Sequence, residues 1–419
     1  MTTTNTTSTT AASRPRVIRA GAVADVLTGE VLADHAIVLD GERIAAVEPW
    51  SASRHGSGDD VLDLRDHLVA PGLIDLHTHL VGELERGSYS PYLTGSAARD
   101  ALLGVRNARA TLRAGFTTVR DVGSFRAFVD CDLRDAIDAA ICEGPRMVCA
   151  GAYVTCSSGG GEITDLAVDI ELPRSFRFGV ADSVDEVRSA VRRIAHRGAD
   201  VIKVIATGAV YAAGTVPGAP EYTEAELKAC VDEAALYGLH VAAHAHGEEG
   251  ALRAIRSGVR TIEHGTMLGE AAMSAMLEHG TYYVPTTYLL QWDDAHGDLD
   301  GYPAGVREKT ALVGESARAS VRLAIEAGVR IAYGTDAIVF PHGLNAGQLP
   351  EFVEFGMTPM QALQSATSVA ADCLGRSMDV GALAPGRYAD LVAVPGAHLD
   401  DVQRFTDVAA VVKGGALVV

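Results

Sequence analysis

The sequence V-A-P-G-L-I-D-L-H-T-H-L, residues 69–80, is an apolar run that follows a Pro-Gly bend at 71–72 and ends in two histidines, His77 and His79. Side chains alternate between the two faces of a β-strand, so residues two apart share a face. Both imidazoles would therefore project the same way, as a pair able to chelate a metal ion. An isolated H-x-H also fits a strand end with two incidental histidines. Further metal ligands elsewhere in the chain are needed to distinguish a metal site from this alternative.

Composition predicts a packed globular protein with one large domain and one small one. The chain has 419 residues, of which 48% are hydrophobic and only 21% are charged, and this length exceeds the size at which a single core usually stops growing. The formal charge of −19 argues against nucleic acid or an anionic membrane as a partner, since both need basic surfaces. The same charge would favour cationic substrates by long-range attraction.

The cysteines and the N-terminal segment indicate a cytoplasmic location. The six cysteines include no C-x-x-C pair, which predicts reduced, mostly buried thiols. Residues 1–15 are rich in threonine and lack the apolar core of a signal peptide, and no run of 18 apolar residues occurs. We expect residues 1–15 to form a disordered or surface arm.

Short β-like segments at both ends of the chain predict a small discontinuous domain. Alternating apolar and polar residues fill 16–70, where Asp40-Gly41 is a hairpin turn signal, and similar segments recur near the C-terminus. We predict that 16–70 and 382–419 pair into a β-sandwich.

The chain between these segments alternates apolar strands with helical stretches, which is typical of βα units and a parallel sheet. Capping boxes at Ser183/Glu186 and Thr223/Glu226 mark two helix starts. Eight strand–helix units predict an α/β fold, a (β/α)8 TIM-type barrel over 71–381. The eight predicted strands are 69–80, 116–122, 146–154, 199–207, 239–244, 259–264, 281–287 and 329–336.

Polar residues lie at the C-terminal ends of these strands, where the mouth of such a barrel carries its reactive groups. Strands one, four, five, six and eight each supply at least one metal-ligand type or a lysine. The set predicts a metal site, and its members are His77, His79, Lys203, His244, His264 and Asp336.

Lys203 lies inside the apolar run V-I-K-V-I, and a buried ammonium is costly unless it is paired or neutralised. A snorkelling lysine at the strand end is the simpler alternative. At a metal site, a lysine with a depressed pKa can react with carbon dioxide and become a carbamate anion that bridges two metals. We therefore expect Lys203 to be carboxylated.

Several motifs together resemble the amidohydrolase superfamily. They are V-A-P-G-L-I-D-L-H-T-H, T-T-V-R-D-V-G, V-I-K-V-I-A-T-G, V-A-A-H-A-H-G, T-I-E-H-G-T, Y-G-T-D, G-M-T-P-M-Q-A-L-Q-S-A-T and P-G-R-Y-A-D-L-V, spread over nearly the whole chain. Within the superfamily the sequence is similar to bacterial Xaa-Pro and Xaa-Arg/Lys dipeptidases and to ochratoxin-hydrolysing amidohydrolases. This resemblance implies hydrolysis of an amide in a dipeptide or N-acyl amino acid, and a homo-oligomeric assembly.

The resemblance also implies a ligand set for two divalent metal ions. His77 and His79 would bind one ion with Asp336, and His244 and His264 would bind the other. Carboxylated Lys203 would bridge the two. His246 competes with His244 for the strand-five position, and the spacing of 20 residues from His244 to His264 resembles that of relatives.

The expected mechanism is attack by a hydroxide that bridges the metals, with Asp336 as general base. Imidazole and carboxylate ligands favour zinc, while manganese, cobalt, nickel and iron satisfy the same criteria.

Candidate substrate contacts are Tyr211, His246, Tyr288 and His342, each of which could equally serve packing. Relatives often carry Gly-Gly-His after strand three, whereas this chain has Gly159-Gly160-Gly161-Glu162, so its specificity is expected to differ.

Two other functions fit the same motifs. One is a different reaction of the superfamily, such as opening of a cyclic imidazolone or lactone, or deamination, which in relatives generally needs one metal and no strand-four lysine. The other is a catalytically silent scaffold, which the complete ligand set disfavours.

Overall fold

The computed structural model describes residues 15–56, 60–84, 90–164, 166–167, 169–296 and 304–419. The predicted arm, apart from residue 15, lies outside these ranges. In the described part of the chain, no helix is long and apolar enough to cross a membrane.

The strands fall into one sheet built from the chain ends and two parallel sheets between them. Their bounds are β1 Val17–Asp25, β2 Glu30–Asp40, β3 Arg43–Pro49, β4 Val61–Pro71, β5 Leu73–Thr78, β6 Phe116–Asp121, β7 Arg146–Cys149, β8 Tyr153–Val154, β9 Ile202–Ile205, β10 Val241–Gly247, β11 Thr261–Met267, β12 Tyr282–Val284, β13 Leu391–Pro395, β14 Ala410–Lys413 and β15 Ala416–Leu417.

Helices follow most strands of the central region, as the βα pattern predicts. Their bounds are α1 Ala52–His55, α2 Ser90–Thr94, α3 Ala97–Arg113, α4 Val129–Asp138, α5 Val184–His196, α6 Glu224–Ala235, α7 Glu248–Ser257, α8 Glu270–His279, α9 Tyr288–His296, α10 Ala304–Ala327, α11 Gln348–Glu354, α12 Pro359–Ser365 and α13 Ser368–Cys373. Thr223 and Glu226 form the full reciprocal capping box at α6. At α5, Ser183 caps Glu186, but the Glu186 carboxylate accepts from Asp182 N instead.

Both chain ends contribute to a seven-stranded sheet in the order β15-β14-β13-β4-β1-β2-β3. Backbone hydrogen bonds from Ile44 N to Arg387 O and from Ala389 N to Glu42 O tie its β3 edge to the segment before β13. The sheet therefore curls back on itself around its own apolar cluster, which includes Ile18 and Leu391. The limits 16–70 and 382–419 of a separate domain stay a prediction.

Gly72 connects this sheet to the first strand of the barrel. A Cβ atom at Gly72 would lie 2.2 Å from Thr117 Oγ1 on the neighbouring strand, so only glycine lets β5 start this close to β6. The Pro-Gly bend thus places His77 at the far end of β5.

The parallel strands form two ladders, β5-β6-β7 and β8-β9-β10-β11-β12. Outside the ladders, Asp200 N donates to Cys149 O, linking the third strand to the start of the fourth. The segment 329–336 lies between β12 and β5: Ala332 N donates to Tyr283 O, and Leu76 N donates to Tyr333 O. The α/β barrel predicted from the sequence is confirmed.

Two predicted strands are less regular than expected. The third is broken into β7 and β8 by Gly151, whose φ is +72°. The eighth, predicted at 329–336, makes one isolated bridge at Ile331, and a second follows it at Ala337. The Asp75 carboxylate accepts from Thr335 N at 3.1 Å and from Thr335 Oγ1 at 2.6 Å in this segment.

Candidate metal centre

His77 and His79 meet Asp336 at the end of the first strand. Their Nε2 atoms lie 3.7 Å and 3.4 Å from Asp336 Oδ1, and one ligand atom from each of the three residues falls within 4.8 Å of the others. The shared face predicted for the H-x-H pair thus gains a carboxylate from the opposite end of the barrel sequence. Two imidazoles and a carboxylate are a donor set for a divalent transition metal.

Hydrogen bonds on the outer ring nitrogens fix both imidazoles. His77 Nδ1 lies 2.7 Å from Glu263 Oε2, and His79 Nδ1 lies 2.6 Å from Gly123 O. Because both acceptors are oxygens, each Nδ1 carries the proton and each Nε2 presents its lone pair toward Asp336.

A second group of histidines lies beside the first. The ring centroids of His77 and His264 are 4.5 Å apart, as are those of His264 and His244, and His246 lies 4.6 Å from His244. His244 Nε2 is buried with no hydrogen-bond partner in the described part of the chain. A buried imidazole nitrogen without a partner fits a metal ligand.

Two of these residues adopt backbone conformations that side chains other than glycine rarely use. The φ angles are +67° for His264 and +61° for Asp336. Such strain costs on the order of 1–3 kcal/mol per residue and is concentrated at functional sites. The fold thus accepts strain at two positions that turn polar side chains into the barrel mouth.

Lys203 lies beneath this cluster with 2% of its surface exposed. Its Nζ atom has no hydrogen-bond partner among the described residues. Burial lowers the pKa of the ammonium to about 8, with Glu263 opposing and Arg120 adding to that shift. The Lys203 ammonium therefore loses its proton more readily than that of an exposed lysine, as the burial argument from sequence predicts.

Burial sets the charge of the other members as well. It lowers the pKa of His79 to about 4 and that of His246 to about 3, and it moves the pKa of His77 well below its ordinary value. These imidazoles are neutral at pH 7, which is the form that binds metals. Burial also raises the pKa of Asp336 to about 7, with Lys203 opposing.

Glu263 and Arg120 are functional candidates that the sequence analysis missed. Glu263 is fully buried, receives a hydrogen bond from Arg120 Nη2 at 2.6 Å, and accepts from Thr261 and His77. Strict alternation would place Glu263 and His264 on opposite faces of β11, but the left-handed φ of His264 lets both face the barrel interior. The T-I-E-H motif, which contains Glu263, was the sequence signal that could have identified this residue.

A cavity of about 920 Å³, counting its open mouth, lies above the cluster. Of the four predicted substrate contacts, Tyr211 and His246 line it. His246 is oriented by a 2.9 Å hydrogen bond between Nδ1 and Thr266 Oγ1. Tyr211 donates a 3.5 Å hydrogen bond to Asp293 Oδ2.

The other two, Tyr288 and His342, do not line this cavity, and their contact with a substrate stays a prediction. Tyr288 packs edge-on against Phe340 with ring centroids 4.9 Å apart. His342 lies behind His79, whose backbone it contacts, and its Nδ1 is 3.5 Å from Thr111 Oγ1. Both side chains therefore pack against other parts of the protein and do not enter the cavity.

A parallel α/β barrel with histidines, a buried lysine and an aspartate at its strand ends is the architecture of a barrel hydrolase. The sequence model of the amidohydrolase family matches residues 68–418. The chain belongs to this family and is a hydrolase acting on C–N bonds.

Known relatives agree with this placement. Ochratoxinase from Aspergillus niger is 34% identical over 370 residues, which cover 84% of this chain and 75% of that protein. The crystal structure of a Xaa-Pro dipeptidase with methionine bound in its active site is similar with a TM-score of 0.90 and 38% identity, covering 96% of this chain and 98% of the other. The crystal structure of A. niger ochratoxinase is similar with a TM-score of 0.85 and 31% identity, and the match covers 96% of this chain and 94% of the other.

Proposed function

We propose that this protein is a dinuclear metal-dependent hydrolase of amide bonds in dipeptides or N-acyl amino acids, including ochratoxin-like amides. The observation that carries the proposal is the buried Lys203 Nζ, which has no hydrogen-bond partner among the described residues and lines the same cavity as the histidines and Asp336. The dipeptidase and ochratoxinase relatives support an amide as the substrate.

The chemistry of the donors fits two divalent ions, for which zinc is the leading choice. His77, His79 and Asp336 would hold one ion, and His244 and His264 would hold the other. Lys203 would bridge them after its neutral amine adds to carbon dioxide, which forms an N–C bond, releases one proton and leaves a carbamate anion. That anion removes the cost of a buried, unpaired ammonium.

When bound, the two ions would polarise the amide carbonyl and lower the pKa of a water molecule. The Asp336 carboxylate would accept a proton from the attacking water and transfer it to the nitrogen of the departing amine. Burial raises the pKa of Asp336 to about 7, with the Lys203 ammonium opposing, and this direction supports a role as proton acceptor.

The decisive experiment combines elemental analysis with a substrate screen. Purified, zinc-loaded protein should contain two metal ions per chain and release free amino acids from dipeptides and N-acyl amino acids. One ion per chain with release of ammonia from an aromatic amine would indicate a deaminase instead. Failure to bind any metal would indicate a catalytically silent scaffold.

We predict that Glu263→Gln lowers metal affinity by ~10–100-fold, the usual effect of removing the hydrogen-bond acceptor of a ligating histidine. An amide at this position can no longer accept from both His77 and Arg120. Competition with a chelator while the bound metal is measured would show the change.

Glu233→Gln is the matched control, because Glu233 is also a buried carboxylate paired with an arginine, Arg192, but lies on α6 away from the cluster. Metal affinity should be unchanged in this variant. Equal affinity in both variants would rule out a role for Glu263 in orienting His77.

A further inference from the structure

The cavity above the candidate metal centre has walls of unusually uniform chemistry. Apart from the cluster, its lining consists of apolar and aromatic side chains, glycines and a few threonines. The members that form its two main walls include Tyr92, Phe125, Tyr153, Val210, Leu289 and Leu290.

One wall is aromatic. Tyr92, Phe125 and Tyr153 contact one another edge to face, with ring centroids 5.5 Å and 5.4 Å apart, and Tyr153 continues the row to His79 at 6.2 Å. Each ring is held by its neighbour, so the wall is pre-organised to accept another ring by the same geometry.

A second wall is aliphatic. Val210, Leu289, Leu290 and Val313 belong to one apolar cluster that extends below the cavity surface, and Ile338 adds to their exposed edge. Apolar surface buried against such a wall contributes roughly 25 cal/mol per Å².

Of the lining residues that the structure describes, only Lys203 and Asp336 carry side chains that are ordinarily charged at pH 7, and both belong to the cluster. Charged groups nearby are already engaged outside the lining. Lys309 Nζ donates to Ala212 O at 2.6 Å, and Glu162 accepts from Arg177 Nε at 2.5 Å. Glu162, at the position where relatives often have histidine, is not among the residues that line the cavity.

We propose that this cavity selects amides whose side chain next to the scissile bond is uncharged and apolar, either aromatic or branched aliphatic. An arginyl, lysyl or glutamyl side chain would lose its hydration against these walls without gaining an ionic partner among the described lining residues outside the cluster, which is strongly unfavourable. The inference rests on the proposed amide hydrolysis. It opposes the preference for cationic substrates that net charge alone suggests, because local desolvation outweighs long-range attraction.

The first test is a series of N-acetyl amino acids that differ only in the side chain. We expect kcat/KM for N-acetyl-phenylalanine and N-acetyl-leucine to exceed that for N-acetyl-arginine, -lysine and -glutamate by at least roughly tenfold. Equal or greater hydrolysis of the arginine or lysine compound would overturn the inference and leave the proposed function intact.

The second test places a charge on the cavity wall. Thr310 is half-buried on α10 and lines the cavity without touching the cluster, and its hydroxyl donates within the helix to Val306 O. Thr310→Glu should raise the arginine-to-phenylalanine ratio of kcat/KM by at least roughly tenfold. The matched control is Thr310→Gln, because glutamine has the same shape as glutamate without its charge. This variant should leave the arginine-to-phenylalanine ratio near that of the wild type. An unchanged ratio in a folded Thr310→Glu protein would contradict the inference.

A binding measurement separates this inference from the proposed function. Calorimetric titration of the zinc-loaded protein with free L-phenylalanine and L-arginine should show tighter binding of phenylalanine, whether or not any amide is hydrolysed. If no amide is hydrolysed and phenylalanine still binds more tightly, the proposed function fails and the selectivity stands. Tighter binding of arginine would overturn the selectivity.

Discussion

Lys203→Ala is expected to abolish amide hydrolysis, with a loss of at least roughly 1000-fold in kcat/KM, since metal ions supply several kcal/mol of transition-state stabilisation. The carbamate would be the only side-chain ligand shared by both ions in the proposed set, so its loss should also lower the metal content below two per chain. Steady-state rates and elemental analysis of the same preparation measure the two effects together.

Two further variants separate a carbamate from a structural cation. Lys203→Met keeps the length and apolar packing of the side chain and removes a buried amine that has no hydrogen-bond partner among the described residues, so the protein should fold at least as stably as the wild type. Lys203→Arg keeps a cation but cannot form the carbamate. Both should be inactive. Full activity and full metal content in Lys203→Arg or Lys203→Ala would refute the carbamate model.

The sequence was sufficient for the barrel and for the residues that meet at its mouth, because local rules decide them. Strand alternation predicts that the two histidines of H-x-H share a face. The run V-I-K-V-I places the charged residue Lys203 among apolar residues, which marks it as unusual. The parallel ladders then bring these strand ends to one edge without any further information.

The features that escaped prediction depend on backbone conformation rather than on pattern. Glu263 and its neighbour His264 both face the barrel interior because His264 has a left-handed φ. In the irregular eighth strand, Asp75, 260 positions earlier, binds the backbone and hydroxyl of Thr335. Neither a positive φ outside glycine nor a partner so distant in sequence leaves a periodic signal.

Substrate contacts were the least predictable part of the site. Tyr288 begins α9 and His342 lies in a loop, yet Tyr288 packs against Phe340 and His342 contacts the backbone of His79. Loop residues are placed by packing with segments far away in the chain, so proximity to the mouth does not by itself indicate that a side chain enters the cavity.

Asp336→Asn is the second variant with a large expected effect, a fall in kcat of ~100- to 10,000-fold with a smaller change in KM. Asparagine has nearly the same shape as aspartate and can still offer an oxygen to a metal ion, but it cannot accept the proton of the attacking water. The left-handed φ of +61° at this position is also well tolerated by asparagine. The fold and most of the bound metal should therefore survive the change.

If Asp336→Asn has a low kcat, its metal content distinguishes a loss of proton transfer from a loss of a metal ligand. Two ions per chain with a low kcat would support proton transfer by Asp336, whereas loss of an ion would reduce its role to that of a ligand. Glu351→Gln is the matched control: burial also raises the pKa of Glu351 to about 7, but its carboxylate accepts from Thr287 Oγ1 and does not line the cavity. Its activity should stay within a few-fold of the wild type. Wild-type kcat in Asp336→Asn with both ions bound would exclude Asp336 as the general base, since an amide at this position has no basic oxygen to take the proton.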